Sequence, residues 1–136
     1  MKYIRNYVVF SIDENYKLQT TARFMRYIAE LSIMNKLKME PVLCMGSYDD
    51  VLEYSFVMDR NDYNEFIVNT KWVSNQESIL VLNPINPRSN ELQGYLHYET
   101  GTVVRVGKMY CIEKEDIYQY NAWTYAIAED KYYVCK

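Results

Sequence analysis

Apolar and polar residues alternate with period two along VLEYSFVM, residues 51–58, and apolar residues recur at three and four positions along residues 20–36. The first pattern predicts a β-strand and the second an amphipathic helix, because side chains alternate across a strand and return every 3.6 residues on a helix. In the strand, Leu52, Tyr54, Phe56 and Met58 share one face, while Val51, Glu53, Ser55 and Val57 share the other. The first set is large and apolar and is expected to meet helices. The second is apolar except for one hydroxyl and one carboxylate, Glu53.

The rest of the chain supplies neighbours for this strand. YVVFSI, residues 7–12, is β-branched and aromatic and is followed by polar residues from Asp13 to Lys17, so it reads as a buried strand and a loop. The helix after it carries Phe24, Tyr27, Ile28, Leu31 and Met34 on one stripe. Pro41 blocks further helix, VLCMGSY begins a second strand, and Asp49-Asp50 turns the chain into the third. Beyond Met58, Asp59 or Asn61 is placed to cap a second helix, with Asp62 and Glu65 in its first turn, where the helix dipole favours negative charge. That helix is expected to run to about Ser74. ESILVLN then gives a short buried strand, stopped by NPINPRSN.

The order β-α-β-β-α-β is that of a ferredoxin-like core, in which right-handed crossovers put both helices on one face of a four-stranded sheet. After residue 90, LQGYLHY, ETGT and VVRVGKMYCIE predict a hairpin with Gly94 and Gly107 at bulges. AWTYAIAEDKYYVC predicts another strand pair, turned at Glu129-Asp130-Lys131. The expected fold is therefore α+β: one domain over residues 1–136, with a ferredoxin-like βαββαβ core at about 7–83 and additional C-terminal antiparallel strands at about 91–136. No repeat or linker interrupts it.

Composition narrows the function classes. A net charge of −3, a pI near 5.2 and scattered Lys and Arg argue against a nucleic-acid surface, which gathers basic residues to neutralise phosphates. The apolar run near the start is too short for a secretory signal, and no segment reaches the eighteen or so apolar residues that span a bilayer. Three cysteines without CxxC spacing, Cys44, Cys111 and Cys135, fit reduced thiols and a cytoplasmic location. No metal site and no cofactor are expected, because the single histidine, His97, cannot build a histidine-rich centre and no phosphate-cradling glycine motif is present. A nucleophilic pair of His97 with Cys44 or Cys111 lacks a third group in the sequence.

Carboxylates and tyrosines remain. A face holding Glu53 and Ser55 between valines is too apolar to stand in water, so extra strands or another subunit must cover it. On pattern alone, a Lys or Arg across the sheet is the simpler explanation of Glu53; a ligand held there is the other. Gln76-Glu77, at the entrance of the fourth strand, offers an amide and a carboxylate for an amino-acid or nucleoside group, or else merely a polar turn. Most of the fifteen tyrosines suit strand packing, and Tyr48 alone stands out by position.

The YVVFSI strand, GSYDDVLEYSFVM with its Gly-x-Tyr and Glu-x-Ser spacings, and NQESILVLN some twenty residues later together resemble the phage-encoded S-adenosylmethionine lyases, formerly described as hydrolases. The resemblance covers roughly residues 7–100 through short motifs. It implies a ferredoxin-like core, a homo-oligomer, expected to be a trimer, with sites between subunits, and action in the cytoplasm of an infected bacterium. It also implies that the carboxylate of S-adenosylmethionine attacks the substrate's own γ-carbon, giving 5′-methylthioadenosine and homoserine lactone and depleting the methyl donor as counter-defence. Carried onto this chain, Glu53 takes the catalytic role of gripping the substrate ammonium, with Tyr48, Ser55, Gln76 and Glu77 as substrate contacts. Two other expectations stand beside it: a non-catalytic phage inhibitor of a host defence or restriction protein, and a small-molecule-sensing domain.

Overall fold

A computed structural model describes residues 6–12, 17–73, 76–88 and 90–136. Its strands are β1 (Tyr7–Ser11), β2 (Val42–Tyr48), β3 (Val51–Asp59), β4 (Ser78–Pro84), β5 (Leu92–Tyr98), β6 (Val103–Ile112), β7 (Ala122–Ala126) and β8 (Lys131–Cys135). Helix α1 spans Lys17–Ile33 and α2 spans Arg60–Phe66, with 3-10 segments at Lys71–Val73 and Lys114–Gln119. Of the loop expected from Asp13 to Lys17, residues 13–16 lie outside the described residues and Lys17 begins α1; the expected helix end at Ser74 also lies outside them.

The eight strands form one closed antiparallel barrel in the order β1-β3-β2-β7-β8-β6-β5-β4. This overturns the expected α+β ferredoxin-like fold. Strands β4, β1, β3 and β2 do lie side by side in that order, but they are not an open sheet. Strand β5 pairs with β4 and strand β7 with β2, so the C-terminal strands are half of the barrel wall and not an elaboration of a finished core. The physical reason is the edge: β2 and β4 would otherwise present rows of unpaired N–H and C=O groups, and closure answers them all.

Helices α1 and α2 pack outside the barrel, against the outward face of β1, β3 and β4. Val8, Phe10, Phe56, Met58 and Val81 meet Phe24, Tyr63 and Ile67 in a single buried cluster. Phe24 contacts Phe10 and Phe56 edge-on at centroid distances of 5.9 and 4.8 Å, a favoured aromatic geometry. Strand β3 is longer than this cover. Phe56 and Met58 are buried beneath the helices as expected, but Leu52 and Tyr54, on the same face, are 60% and 50% exposed near the β2–β3 turn. A nine-residue strand runs about 30 Å, and the helices shield only one end of it.

Buried carboxylates tie the outer layer together. Asp59 caps α2, its Oδ1 accepting from the backbone N–H groups of Asn61 and Asp62 at 2.9 and 3.2 Å. Asp62 is fully buried, and its Oδ2 accepts from the N–H groups of Lys38 and Met39, at 2.9 and 3.3 Å, in the connection entering β2. Helix α2 is shorter than expected, and past Phe66 the chain turns into the Lys71–Val73 segment, which buries Val73.

The turns follow the chemistry of their residues. Asp49 and Asp50 both take positive φ, 47° and 65°, between the paired residues Tyr48 and Val51. That is a two-residue hairpin turn whose twist suits the flanking strands. The expected bulge is present as a register shift between β5 and β6 at Gly94 and Tyr95. Gly107 sits opposite with φ of 107°, where a Cβ would collide with the Lys136 backbone.

Removing the Asp62 carboxylate leaves two backbone donors without their acceptor in a buried site, a loss on the order of 1–3 kcal/mol. Asp62→Ala is expected to lower unfolding stability by roughly 2 kcal/mol, read as a shift in urea midpoint. A shift too small to measure would mean that Lys38 and Met39 find other acceptors.

Candidate functional site

Register fixes which residues face inward. Glu53 on β3 stands opposite Gly46 on β2, Gly46 opposite Thr124 on β7, and Thr124 opposite Tyr133 on β8. Directly opposed residues on neighbouring strands share a face, so these four form one rung of the inner wall. The adjacent rung runs from Ser11 through Ser55 and Cys44 to Ala126. An eight-stranded barrel has an interior that ordinary side chains fill, or that small ones leave open for one ligand. Here glycine, serine, cysteine, alanine and threonine occupy that part of the wall, and a cavity of about 1300 Å³ lies inside.

All eight strands contribute to the cavity lining. The five residues expected to contact substrate, Tyr48, Glu53, Ser55, Gln76 and Glu77, all line it. Their surroundings differ. Tyr48 is 62% exposed at the mouth beside the Asp49-Asp50 turn. Glu53 is half-buried one rung inward, and Ser55 is buried with no hydrogen-bond partner for its Oγ among the described residues. The Gln76 side-chain oxygen accepts from the Ser11 backbone N–H at 3.1 Å, so this amide holds the end of β1 while lining the pocket. Glu77 is exposed, and its backbone carbonyl accepts from the Glu99 N–H. The apolar face that needed a cover has received extra strands.

The C-terminal strands add residues that local pattern did not reveal. Tyr133 donates from its hydroxyl to Glu129 Oε2 at 2.8 Å, and both line the cavity. Burial, and then this hydrogen bond, push the Tyr133 phenol well above its usual range. Trp123, Tyr120 and Asn121 stand around the mouth with Tyr48. KYYVC does carry a period-two signal that puts Tyr133 and Cys135 on one face, but nothing local says that this face shares a lumen with Glu53.

Acid–base and nucleophilic candidates separate in space. Cys44 faces the cavity, whereas His97 does not line it: His97 pairs with Ile79, which packs against the outer core. Burial, and then the Arg60 charge, lower the His97 pKa. The wall therefore stands between the two members of the Cys44–His97 pair. Burial, reinforced by the Glu129 charge, pushes the Cys44 thiol up to about 11, and burial alone does the same for Cys135. Both remain thiols at neutral pH and are poor nucleophiles. Among the described residues no group of three or more His, Cys, Asp or Glu is placed to hold a metal ion, and no helix is long and apolar enough to cross a membrane.

Two measurements follow from these thiols. At pH 8 the exposed Cys111 is expected to alkylate rapidly, with Cys44 and Cys135 reacting only on unfolding, as mass spectrometry of the labelled peptides would show. Rapid labelling of Cys44 would contradict its placement. A thiol whose folded pKa is raised contributes stability below its unfolded value near 9 and loses it as pH rises toward about 11. The melting temperature is expected to fall across that window, and less steeply in Cys44→Ala.

Comparison with known proteins adds no relative to this picture: no family model, no curated protein and no solved structure matches the chain.

Proposed function

We propose that the protein is an S-adenosylmethionine lyase whose substrate sits in the barrel lumen. The observation that supports this most is convergence: the site residues that the resemblance implies, Tyr48 on β2, Glu53 and Ser55 on β3, and Gln76 and Glu77 in the loop before β4, line one cavity. The cavity is larger than the few hundred to 1,000 Å³ typical of small-molecule pockets, which leaves room for a nucleoside with an amino-acid arm.

In this reaction a substrate carboxylate oxygen bonds to the γ-carbon as the γ-carbon–sulfur bond breaks, and the electron pair of that bond returns to sulfur. The products are homoserine lactone and neutral 5′-methylthioadenosine, and no proton has to be delivered. Catalysis then rests on holding the carboxylate in line with the breaking bond, where orientation alone contributes several kcal/mol. Glu53 grips the substrate ammonium and sets the arm in that posture. Aromatic rings at the mouth, Tyr48 and Trp123 among them, are suited to stack on adenine or to face the sulfonium. The assembly is a homotrimer in which a neighbouring subunit meets the exposed Tyr48, Leu52 and Tyr54. Acting in an infected bacterium, it removes the methyl donor that restriction and modification systems use.

The same cavity also favours a second reading, a sensing barrel that holds its ligand unchanged. Chromatography of S-adenosylmethionine incubated with the pure protein separates the two. The lyase gives 5′-methylthioadenosine at the rate of substrate loss, and Glu53→Gln is expected to lower that rate by about a hundredfold or more with its circular dichroism spectrum retained. Intact substrate bound to folded protein would move the assignment to the sensor. A stable complex with a host defence protein and no turnover would move it to an inhibitor.

A further inference from the structure

The barrel wall turns an apolar belt toward the cavity. Val42 on β2 opposes Val57 on β3, Val57 opposes Val9 on β1, Val9 opposes Leu80 on β4, and Leu80 opposes Leu96 on β5. These five side chains form one inner rung across five of the eight strands, and all of them line the cavity. Where side chains fill a small barrel, the inward residues are its most enclosed. Here the order is reversed. The outward neighbours on the same strands, Val8, Met58 and Val81, are 1%, 0% and 1% exposed in the cluster with the helices, whereas the five inward aliphatics are only half-buried. Apolar surface is thus left facing open space inside the fold, an unfavourable contact with water that an apolar ligand would remove.

The adjoining rung supplies a second, independent observation. Two residues along β1, β3 and β2 from the belt stand Ser11, Ser55 and Cys44. Ser55 is only 5% exposed, and its Oγ has no hydrogen-bond partner among the described residues. Gly46 keeps the space beside that oxygen, because a Cβ there would lie 3.7 Å from it. A hydroxyl donates once and accepts twice, so one polar atom arriving from the lumen is enough to answer it. No ionisable side chain belongs to the belt, and Glu53 is one rung beyond Ser55, about 13 Å along the strand from Val57.

We infer that this end of the lumen binds an uncharged amphipathic molecule, its aliphatic or alicyclic body against the belt and a single hydroxyl or carbonyl at Ser55. The belt holds no aromatic ring, so a flat base finds no stacking partner there. A curved wall of branched aliphatics instead surrounds a chain or saturated ring on several sides, which removes the most apolar surface from water. The inference goes beyond the lyase reading and rests neither on Glu53 nor on turnover.

The test is a methyl NMR titration of the intact protein with 1-hexanol. The methyl signals of Val9, Val42, Val57, Leu80 and Leu96 are expected to shift and saturate together, while those of Leu52, exposed on the outer face, stay in place. No shift, or shifts confined to outer methyls such as Leu52, would overturn the proposal without any variant having to fold. Hexanoate and hexylammonium, the same chain with a charge, are expected to bind at least about tenfold more weakly, because the belt offers an ion no partner. If either matched the alcohol, selection for an uncharged ligand would fall. Ser55→Ala is expected to weaken 1-hexanol about fivefold relative to 1-chlorohexane, whose chlorine is a poor hydrogen-bonding group. An unchanged ratio would overturn the part assigned to Ser55. None of these readings involves S-adenosylmethionine, so the lyase assignment and this site stand or fall separately.

Discussion

Strand β1 is hydrogen-bonded on both sides, to β3 from Tyr7↔Asp59 to Ser11↔Ser55 and to β4 from Tyr7↔Leu82 to Val9↔Leu80. Much of the structure depends on this double pairing together with the closure it begins. Once β4 has accepted β5, and β2 has accepted β7, each strand has two neighbours and the wall has no edge. Closure also makes the two faces of the wall unequal. One looks toward helices and solvent, and the other encloses whatever its side chains leave unfilled.

The outer face carries the fold. Phe10, Phe24, Phe56 and Tyr63 interlock there, and the two buried aspartates beneath them answer backbone donors of α2 and of the chain entering β2. None of these acids points to a ligand, because each already meets a structural demand. The inner face is divided. Leu80, Leu82 and Leu96 line one side, whereas on β3, β2 and β7 Gly46, Ser55, Cys44, Thr124 and Ala126 hold the wall open. Stability and ligand space are thus assigned to opposite sides of the same strands, and a change such as Gly46→Val would act on the lumen far more than on the outer core.

Alternation along VLEYSFVM was enough to place Glu53 and Ser55 on the face away from the helices, because side-chain period two is a local property of a strand. The Asp49-Asp50 turn, the Asp59 cap and the Gly94–Gly107 bulge were legible for the same reason: each is a short-range requirement of the backbone. Closure was not. That β7 pairs with β2, or that Tyr133 shares a rung with Glu53, depends on partners far along the chain, and no local pattern encodes which edge a later hairpin will take. The same gap explains Leu52 and Tyr54: their face was right, but how far the helices reach along β3 is a matter of tertiary geometry.

What the lumen offers chemically follows from which of its groups are free to ionise. The thiols of Cys44 and Cys135 and the phenol of Tyr133 are all held in their neutral forms by burial, and the one histidine lies beyond the wall. A reaction that draws on a thiolate or an imidazole base finds neither among the described lining residues. Carboxylates, aromatic surface and shape are what remain, and they suit the proposed lyase reaction, in which the substrate would bring its own nucleophile and its own leaving group. Under that proposal the barrel's part is to hold one conformation of the substrate, a task for which a carboxylate set in a rigid strand is better placed than one on a loop.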